Sequence, residues 1–323
     1  MPKFYKEMFF ENIIVTGCGG DIGISIGRIL KISNVSNRVI GCDINEEHGG
    51  SVFFDIFEIV ERVDSKFYIE RLLNVCKKYS VDLIIPTSEP ELRFFLNEDI
   101  LGSLDGTPVL GVNKKALTVG FDKLLTSDFL KSSGLPYPWT TLVSEGMPKA
   151  FPCIIKKRYG SGSREIMVVE EEVVDYYATR RPDDVWQEYL SLDDQEYTCG
   201  VYRSKTGEIR TIILKRRLDG SLTVYGEVRE NMEIEVMLNR LAELLDLQGS
   251  INPQLRLTER GPVIFEINPR FSSTVMFRHL LGFKDLIWSI NEIAGKAIED
   301  YIPPQFGTKF YRASQEVILE GNN

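Results

Sequence analysis

Residues 251–270 read INPQLRLTERGPVIFEINPR. The polar run Thr258-Glu259-Arg260-Gly261 separates two apolar segments, so the stretch is predicted to form a β-hairpin. Strand side chains alternate faces, which puts Glu266 with Asn268 on one face and Asn252 with Gln254 on one face of the partner strand. A turn centred near Arg260 sets Gln254 opposite Glu266. Gln254, Glu266 and Asn268 would then bring hard oxygen donors to the open end of the hairpin. Magnesium prefers such donors and keeps positions free for substrate phosphates. Arg270, directly after Asn268-Pro269, could hold a phosphate or carboxylate bidentately. A solvated edge hairpin would carry the same residues, so the rest of the chain has to decide.

Two further stretches could do chemistry. IIKKRYGSGSREI (154–166) is a strand that ends in lysines and runs into a Gly/Ser-rich loop. Glycines let backbone N–H groups approach phosphate oxygens, Ser161 and Ser163 add hydroxyl donors, and a strand-end lysine supplies a point charge. No GxxxxGK[ST] sequence occurs, and a solvated hairpin tip reads the same way. In WQEYLSLDDQEYT (186–198), Gln187 could reach an exocyclic group of a flat base. The backbone from Glu188 through Tyr189 and Leu190 would offer donor and acceptor, and Glu196 could bind ribose hydroxyls. An ordinary strand, loop and strand is the alternative.

The order of these parts resembles an ATP-grasp enzyme over roughly residues 110–295. The likeness is closest to the carbamoyl-phosphate-synthase-like members, which carry Gln at the first metal position, as Gln254 does here. FDKLLTSDFLKSSGLPYP (121–138) is also typical of the helix that opens the family's lid lobe. The resemblance implies an N-terminal parallel α/β lobe (1–112), a linker helix and small lid lobe (113–190), and a C-terminal lobe with antiparallel sheets (191–323). It implies that Lys123 and Lys156 contact ATP phosphates beneath a Gly160-Ser161-Gly162-Ser163 lid. Gln187, Glu188, Tyr189 and Leu190 would hold adenine, and Glu196 ribose. Gln254, Glu266 and Asn268 would bind magnesium, with Glu266 bridging two ions; manganese could substitute. Arg270 would face the transferred phosphoryl group. Lys215 matches a further basic residue near it, with Arg216 and Arg217 as neighbours in register. The segment between Leu190 and Glu196 is two residues longer than in the D-alanine ligases, which leaves Asp194 as a second ribose candidate. The chain is far too short to be a full carbamoyl phosphate synthase.

The activity implied is ligation of a substrate carboxylate, activated as an acyl phosphate, to an amine. A small-molecule carboxylate and amine are the expected partners, and a homodimer the assembly the resemblance suggests. A synthase or kinase that releases the acyl phosphate is the alternative. A third reading comes from the N-terminus, where IIVTGCGGDIGISIG places Gly17, Gly20 and Gly23 after a strand and Asp43 ends the next strand. This resembles the NAD-binding opening of sugar-modifying short-chain dehydrogenases. Those enzymes need a Tyr-x-x-x-Lys pair, and no tyrosine here has lysine four residues later. In PTSEPEL (86–92), Thr87, Ser88 and Glu89 could touch a substrate or cap a helix.

These residues need elements to hold them. Segments 12–17, 38–43, 81–87 and 107–112 read as strands and Ile22–Ile32 and Ile69–Tyr79 as helices, so the first hundred residues alternate strand and helix, the pattern of a parallel sheet. Lys114–Ser133 reads as one helix. Beyond 151, strands at 151–157, 165–170 and 184–190 surround a helix from Glu171, at least two strands follow from Glu196, Glu230–Leu245 reads as a helix and 283–295 as another. The 323 residues are 43% hydrophobic and 26% charged, enough for two or three lobes. A net charge of −9 argues against an extended nucleic-acid surface. Five cysteines without CxxC spacing suggest a reduced, cytoplasmic chain, and two histidines exclude a histidine-rich metal site. No apolar run reaches membrane length.

Overall fold

The computed structural model describes residues 10–160, 165–190 and 195–313. They form two compact units. The first runs to Gly111 and takes in Arg270–Ile302. The second comprises Val112–Pro269 and Pro303–Arg312.

The first unit begins with β1 (Phe10–Thr16), α1 (Asp21–Ser33), β2 (Ser36–Asp43), β3 (Ile56–Ile59), α2 (Tyr68–Tyr79), β4 (Leu83–Ile85) and α3 (Glu89–Asn97). The sheet order is β3-β2-β1-β4, all parallel. Ile13, Val15 and Ile85 bury against Ile26 and Ile29 of α1, while Ile14 and Ile84 bury with Leu72 and Phe95 on the other face. A sheet covered on both faces needs apolar runs, which Ile13–Val15, Val39–Ile40 and Leu83–Ile85 supply. The segment 107–112 does not make the expected full strand. Short strands β5 (Ser103–Leu104) and β6 (Thr107–Pro108) pair with each other, and Val109 makes a single bridge to Ile84.

The second unit opens with α4 (Lys114–Phe121) and α5 (Lys123–Ser132), where one helix was expected. Asp122 breaks it. Its backbone is extended (φ −117°, ψ 112°), and its carboxylate accepts the N–H groups of Leu124 and Leu125, so it ends one helix and N-caps the next. Then come β7 (Thr140–Leu142), β8 (Cys153–Lys157), β9 (Met167–Val169), α6 (Val174–Arg180) and β10 (Asp184–Glu188), which form an antiparallel sheet in the order β7-β10-β8-β9. Six antiparallel strands follow in the order β15-β14-β11-β12-β13-β16. Five of them are consecutive: β11 (Glu196–Arg203), β12 (Ile209–Asp219), β13 (Leu222–Val228), β14 (Gly249–Thr258) and β15 (Gly261–Asn268). Between β13 and β14, α7 (Met232–Leu244) buries Ile234, Leu238 and Leu241 as its 3.6-residue spacing predicts.

The chain then returns to the first unit with α8 (Val275–Leu280) and α9 (Asp285–Ile293), before β16 (Lys309–Tyr311) closes the six-stranded sheet beside β13. A single C-terminal lobe from residue 191 was expected. Instead Val275, Ile287 and Ile290 complete the core beside α1. This divides the expected lobe at Pro269-Arg270.

Candidate active site

The β14–β15 hairpin pairs Gln254 with Glu266 and Asn252 with Asn268. Its tight turn pairs Thr258 with Gly261, and simple counting from there would set Phe265 opposite Gln254. A β-bulge at Phe265 moves the register by one, so Glu266 takes that place on the shared face. The bulge also frees the Phe265 carbonyl, which accepts from Lys156 Nζ at 3.4 Å. Asn252 is fully buried and is held by Thr198 and the Cys199 carbonyl, so it props the face from below. Gly120 fixes α4 against the end of β15: a Cβ there would meet Pro269 Cδ at 2.8 Å.

Lys156 and Gln187 share one face of the four-stranded sheet, because Lys156 pairs with Val185 and Ile154 with Gln187. Cys153, Ile155 and Trp186 point the other way, into a core with Val143 and Val169. Both polar side chains are buried, at 4% exposure each. Gln187 Nε2 donates to Thr140 Oγ1 at 3.1 Å. Burial pushes the Lys156 ammonium down to about 7; the Glu266 carboxylate opposes this and the Lys123 charge adds to it. Lys123 is tied to the end of the same strand. Its Nζ donates to the Gly160 carbonyl at 2.6 Å, and the Arg158 guanidinium clasps Asp122 with contacts of 3.0 and 2.7 Å. Ser161, Gly162, Ser163 and Asp194 lie outside the described residues.

Strand β11 links these parts. Glu196 Oε1 accepts from Arg216 Nε at 3.0 Å and Nη2 at 2.7 Å, and Glu196 Oε2 from Arg256 at 2.5 Å. Arg216 Nη2 also reaches Gln254 Oε1, at 2.9 Å. Lys215 pairs with Tyr197, and Leu214 with Thr198, which in turn pairs with Gln254. Lys215 therefore projects to the face away from Gln254, and Arg216 is the basic residue on the site face. Glu188 is bound to Arg260 at 2.6 Å and to the Trp139 N–H at 3.4 Å, so a base would meet only its backbone. Tyr189 and Leu190 follow directly, with Leu190 buried. Sequence reasoning missed Arg256, Thr140, and the Asp122–Arg158 clasp.

In the first unit, Arg270 Nη1 donates to the Phe271 carbonyl at 2.8 Å. Ser88 caps α3, and Thr87 Oγ1 donates to the Thr16 carbonyl at 2.8 Å. Three N–H groups of the glycine loop are already engaged. Cys18 N–H goes to the Cys42 carbonyl, Gly19 N–H to Asp43 and Gly20 N–H to the Gly17 carbonyl. A dinucleotide pyrophosphate needs those donors free. Cys18, Asp43 and His48 converge here within 4.8 Å, the one compact His/Cys/Asp/Glu group among the described residues. His48 Nδ1 accepts from Gly50 N–H at 3.0 Å, which leaves the proton of a neutral ring on Nε2 and no lone pair there for a metal.

A parallel α/β unit and a unit of two antiparallel sheets, one carrying lysines and the other a Gln/Glu/Asn hairpin, together define the ATP-grasp fold. Known proteins agree. Residues 182–315 match the family described as ATP-grasp in the biosynthetic pathway with Ter operon, and residues 13–109 match the PylC-like N-terminal domain. The matched segment is thus similar to an ATP-grasp domain. A D-alanine–D-alanine ligase of Mycobacterium sp. (strain KMS) is 26% identical over 211 residues, 54% of this chain and 57% of that protein. The chain therefore spans little more than half the length of that curated relative.

The solved ADP complex of purK, an N5-carboxyaminoimidazole ribonucleotide synthetase, superposes with a TM-score of 0.72 over 91% of this chain and 79% of that one, at 16% identity. The biotin carboxylase domain of Hydrogenobacter thermophilus 2-oxoglutarate carboxylase, with MgADP and bicarbonate, superposes with a TM-score of 0.70 over 94% of this chain and 74% of that one, also at 16% identity. At that identity the likeness is one of fold. No helix among the described residues is long and apolar enough to cross a membrane.

Proposed function

We propose that the chain is an ATP-dependent carboxylate–amine ligase. A carboxylate oxygen of the substrate attacks the γ-phosphorus of ATP, the bond to ADP breaks, and an acyl phosphate forms. The amine nitrogen then attacks the acyl carbon, phosphate departs, and an amide remains. The protein's work is to position these groups and offset negative charge. Lys123, Lys156 and the Gly160–Ser163 segment take the phosphates. Gln187 and the backbone of Glu188, Tyr189 and Leu190 take adenine, and Glu196 takes ribose. Glu266 and Asn268 offer the hard oxygen donors that magnesium needs, with Gln254 beside them. Arg216, in place of Lys215, faces the transferred phosphoryl group, the role that the family resemblance implies for Arg270.

The observation that supports this reading most is the pairing of Gln254 with Glu266 and of Asn252 with Asn268 on one sheet face, with Lys156 drawn to the intervening bulge. The names of similar proteins point to two kinds of carboxylate. The curated relative is named for D-alanine, and a solved neighbour holds bicarbonate. Release of ADP and phosphate from Mg-ATP, with carboxylates (bicarbonate among them) and amines offered singly and in pairs, tests the reading. Release should need one particular pair, and Glu266→Ala should lower it by about 1000-fold or more while the variant stays folded. Release with one carboxylate alone would favour the acyl-phosphate-releasing alternative. A Glu266→Ala protein that turns over normally would refute the site.

A further inference from the structure

The three oxygen donors expected to share magnesium are in different situations. Gln254 Oε1 is taken: Arg216 Nη2 donates to it at 2.9 Å. The Glu266 carboxylate and the Asn268 amide accept no hydrogen bond among the described residues. Asn268 is nonetheless 6% exposed, a buried amide at the open end of the hairpin beside a carboxylate. Arg216 is also not free to swing aside. Its side chain is 7% exposed and is held on Glu196, which Arg256 holds from the other side. A divalent ion on Gln254 Oε1 would stand roughly 5 Å from that guanidinium, a metal–oxygen bond plus a hydrogen bond away. The two positive centres would share one neutral acceptor, and like charges that close, away from water, repel strongly. Gln254 is neutral, so it does nothing to screen them. A carboxylate at this position would.

We infer that Gln254 anchors Arg216 and is not a metal ligand. The site takes a single divalent ion on Glu266 and Asn268, and Arg216 provides the second positive charge against the phosphates. Glu196 and Gln254 engage Nε and Nη2, which fixes the guanidinium plane and turns its charge and the Nη1 donors to the phosphates. In this arrangement Arg216 acts on the nucleotide directly, Gln254 positions it, and Glu196 sets its angle as well as meeting ribose. The inference rests on the nucleotide reading above and replaces the expected pair of ions with one.

The test counts metal ions. The purified chain is saturated with AMP-PNP, whose binding is measured separately by calorimetry. Bound Mn2+ is then counted by electron paramagnetic resonance as manganese is titrated. One Mn2+ per nucleotide-bound chain is expected. Gln254→Ala should leave the count at one Mn2+ per nucleotide-bound chain and weaken it less than Glu266→Gln or Asn268→Ala, which should each weaken it by about tenfold or more. Thermal unfolding checks that each variant is folded. Two Mn2+ per chain would overturn the inference, as would a loss at Gln254→Ala equal to that at Asn268→Ala. No AMP-PNP binding by the wild-type chain would instead overturn the nucleotide reading, and this inference with it.

Discussion

Lys156 shows what the candidate site costs the fold. Its ammonium is buried with one long hydrogen bond, and burial lowers its pKa to about 7 from the ordinary 10.5. The folded state thus binds fewer protons than the unfolded chain between about pH 7 and 10.5, so the penalty is full below that window and vanishes above it. Its size is on the order of a few kcal/mol. Lys156→Met keeps the length of the stem and removes the charge. The nucleotide-free variant should be more stable than wild type at pH 7 and should lack the wild type's rise in stability toward pH 10, while its affinity for ATP falls by about tenfold or more. Denaturant unfolding at several pH values, with ATP binding beside it, checks both halves. An equally steep pH dependence in Lys156→Met would contradict the burial argument.

Residues of this kind were partly legible in the sequence. Glu266 and Asn268 stand out because a period of two puts them together. Arg216 was legible in principle. The turn at Ser204–Gly207 pairs Arg203 with Ile209, and counting back sets Lys215 opposite Tyr197 and Arg216 beside Glu196. Three basic residues in a row hid that, since composition alone does not say which one faces the site.

Elements carry the next level of the argument. Glu91 on α3 accepts from Thr16 of β1 at 2.5 Å and from the Tyr68 hydroxyl of α2, so one carboxyl group ties a strand and two helices. Burial raises it to about 7, against the pull of those two hydroxyls, and the Asp43 charge adds to the rise. The folded state therefore binds more protons than the unfolded chain between pH 4.5 and about 7. The protonated Glu91 stabilises the first unit fully below pH 4.5, and that contribution is lost as pH rises through 7. Its size is on the order of 3 kcal/mol. Glu91→Gln keeps the shape without the titration. Measured from pH 5 to 8, the variant should lose less stability than wild type; parallel curves would sink the assignment.

The strands and helices themselves followed from apolar spacing. Their breaks did not. Asp122 interrupts an otherwise continuous helical pattern because its carboxylate caps the second helix and receives Arg158, the residue after β8, distant in sequence. The bulge at Phe265 is equally silent in the sequence. The Gln254–Glu266 pairing was reached by placing the turn near Arg260, whereas the chain reaches it with a tighter turn and an inserted residue. Both breaks depend on partners far along the chain, which local patterns do not contain.

At the scale of the molecule, the sequence separated a parallel α/β segment from antiparallel sheets, and the fold has both. It did not reveal that α8 and α9 rejoin the first unit, because an amphipathic helix does not name the sheet it will cover. The composition fits the proposed reaction, which needs no covalent protein nucleophile: the chain has two histidines.

That chemistry has a direct signature. Once the productive pair of substrates is in hand, the carboxylate can be labelled with oxygen-18 and the released phosphate analysed by mass spectrometry. Activation as an acyl phosphate passes one carboxylate oxygen to phosphorus, so each phosphate formed should carry one oxygen-18 atom. Phosphate without label, formed alongside the amide, would mean that the carboxylate never attacks the γ-phosphoryl group and would contradict the account.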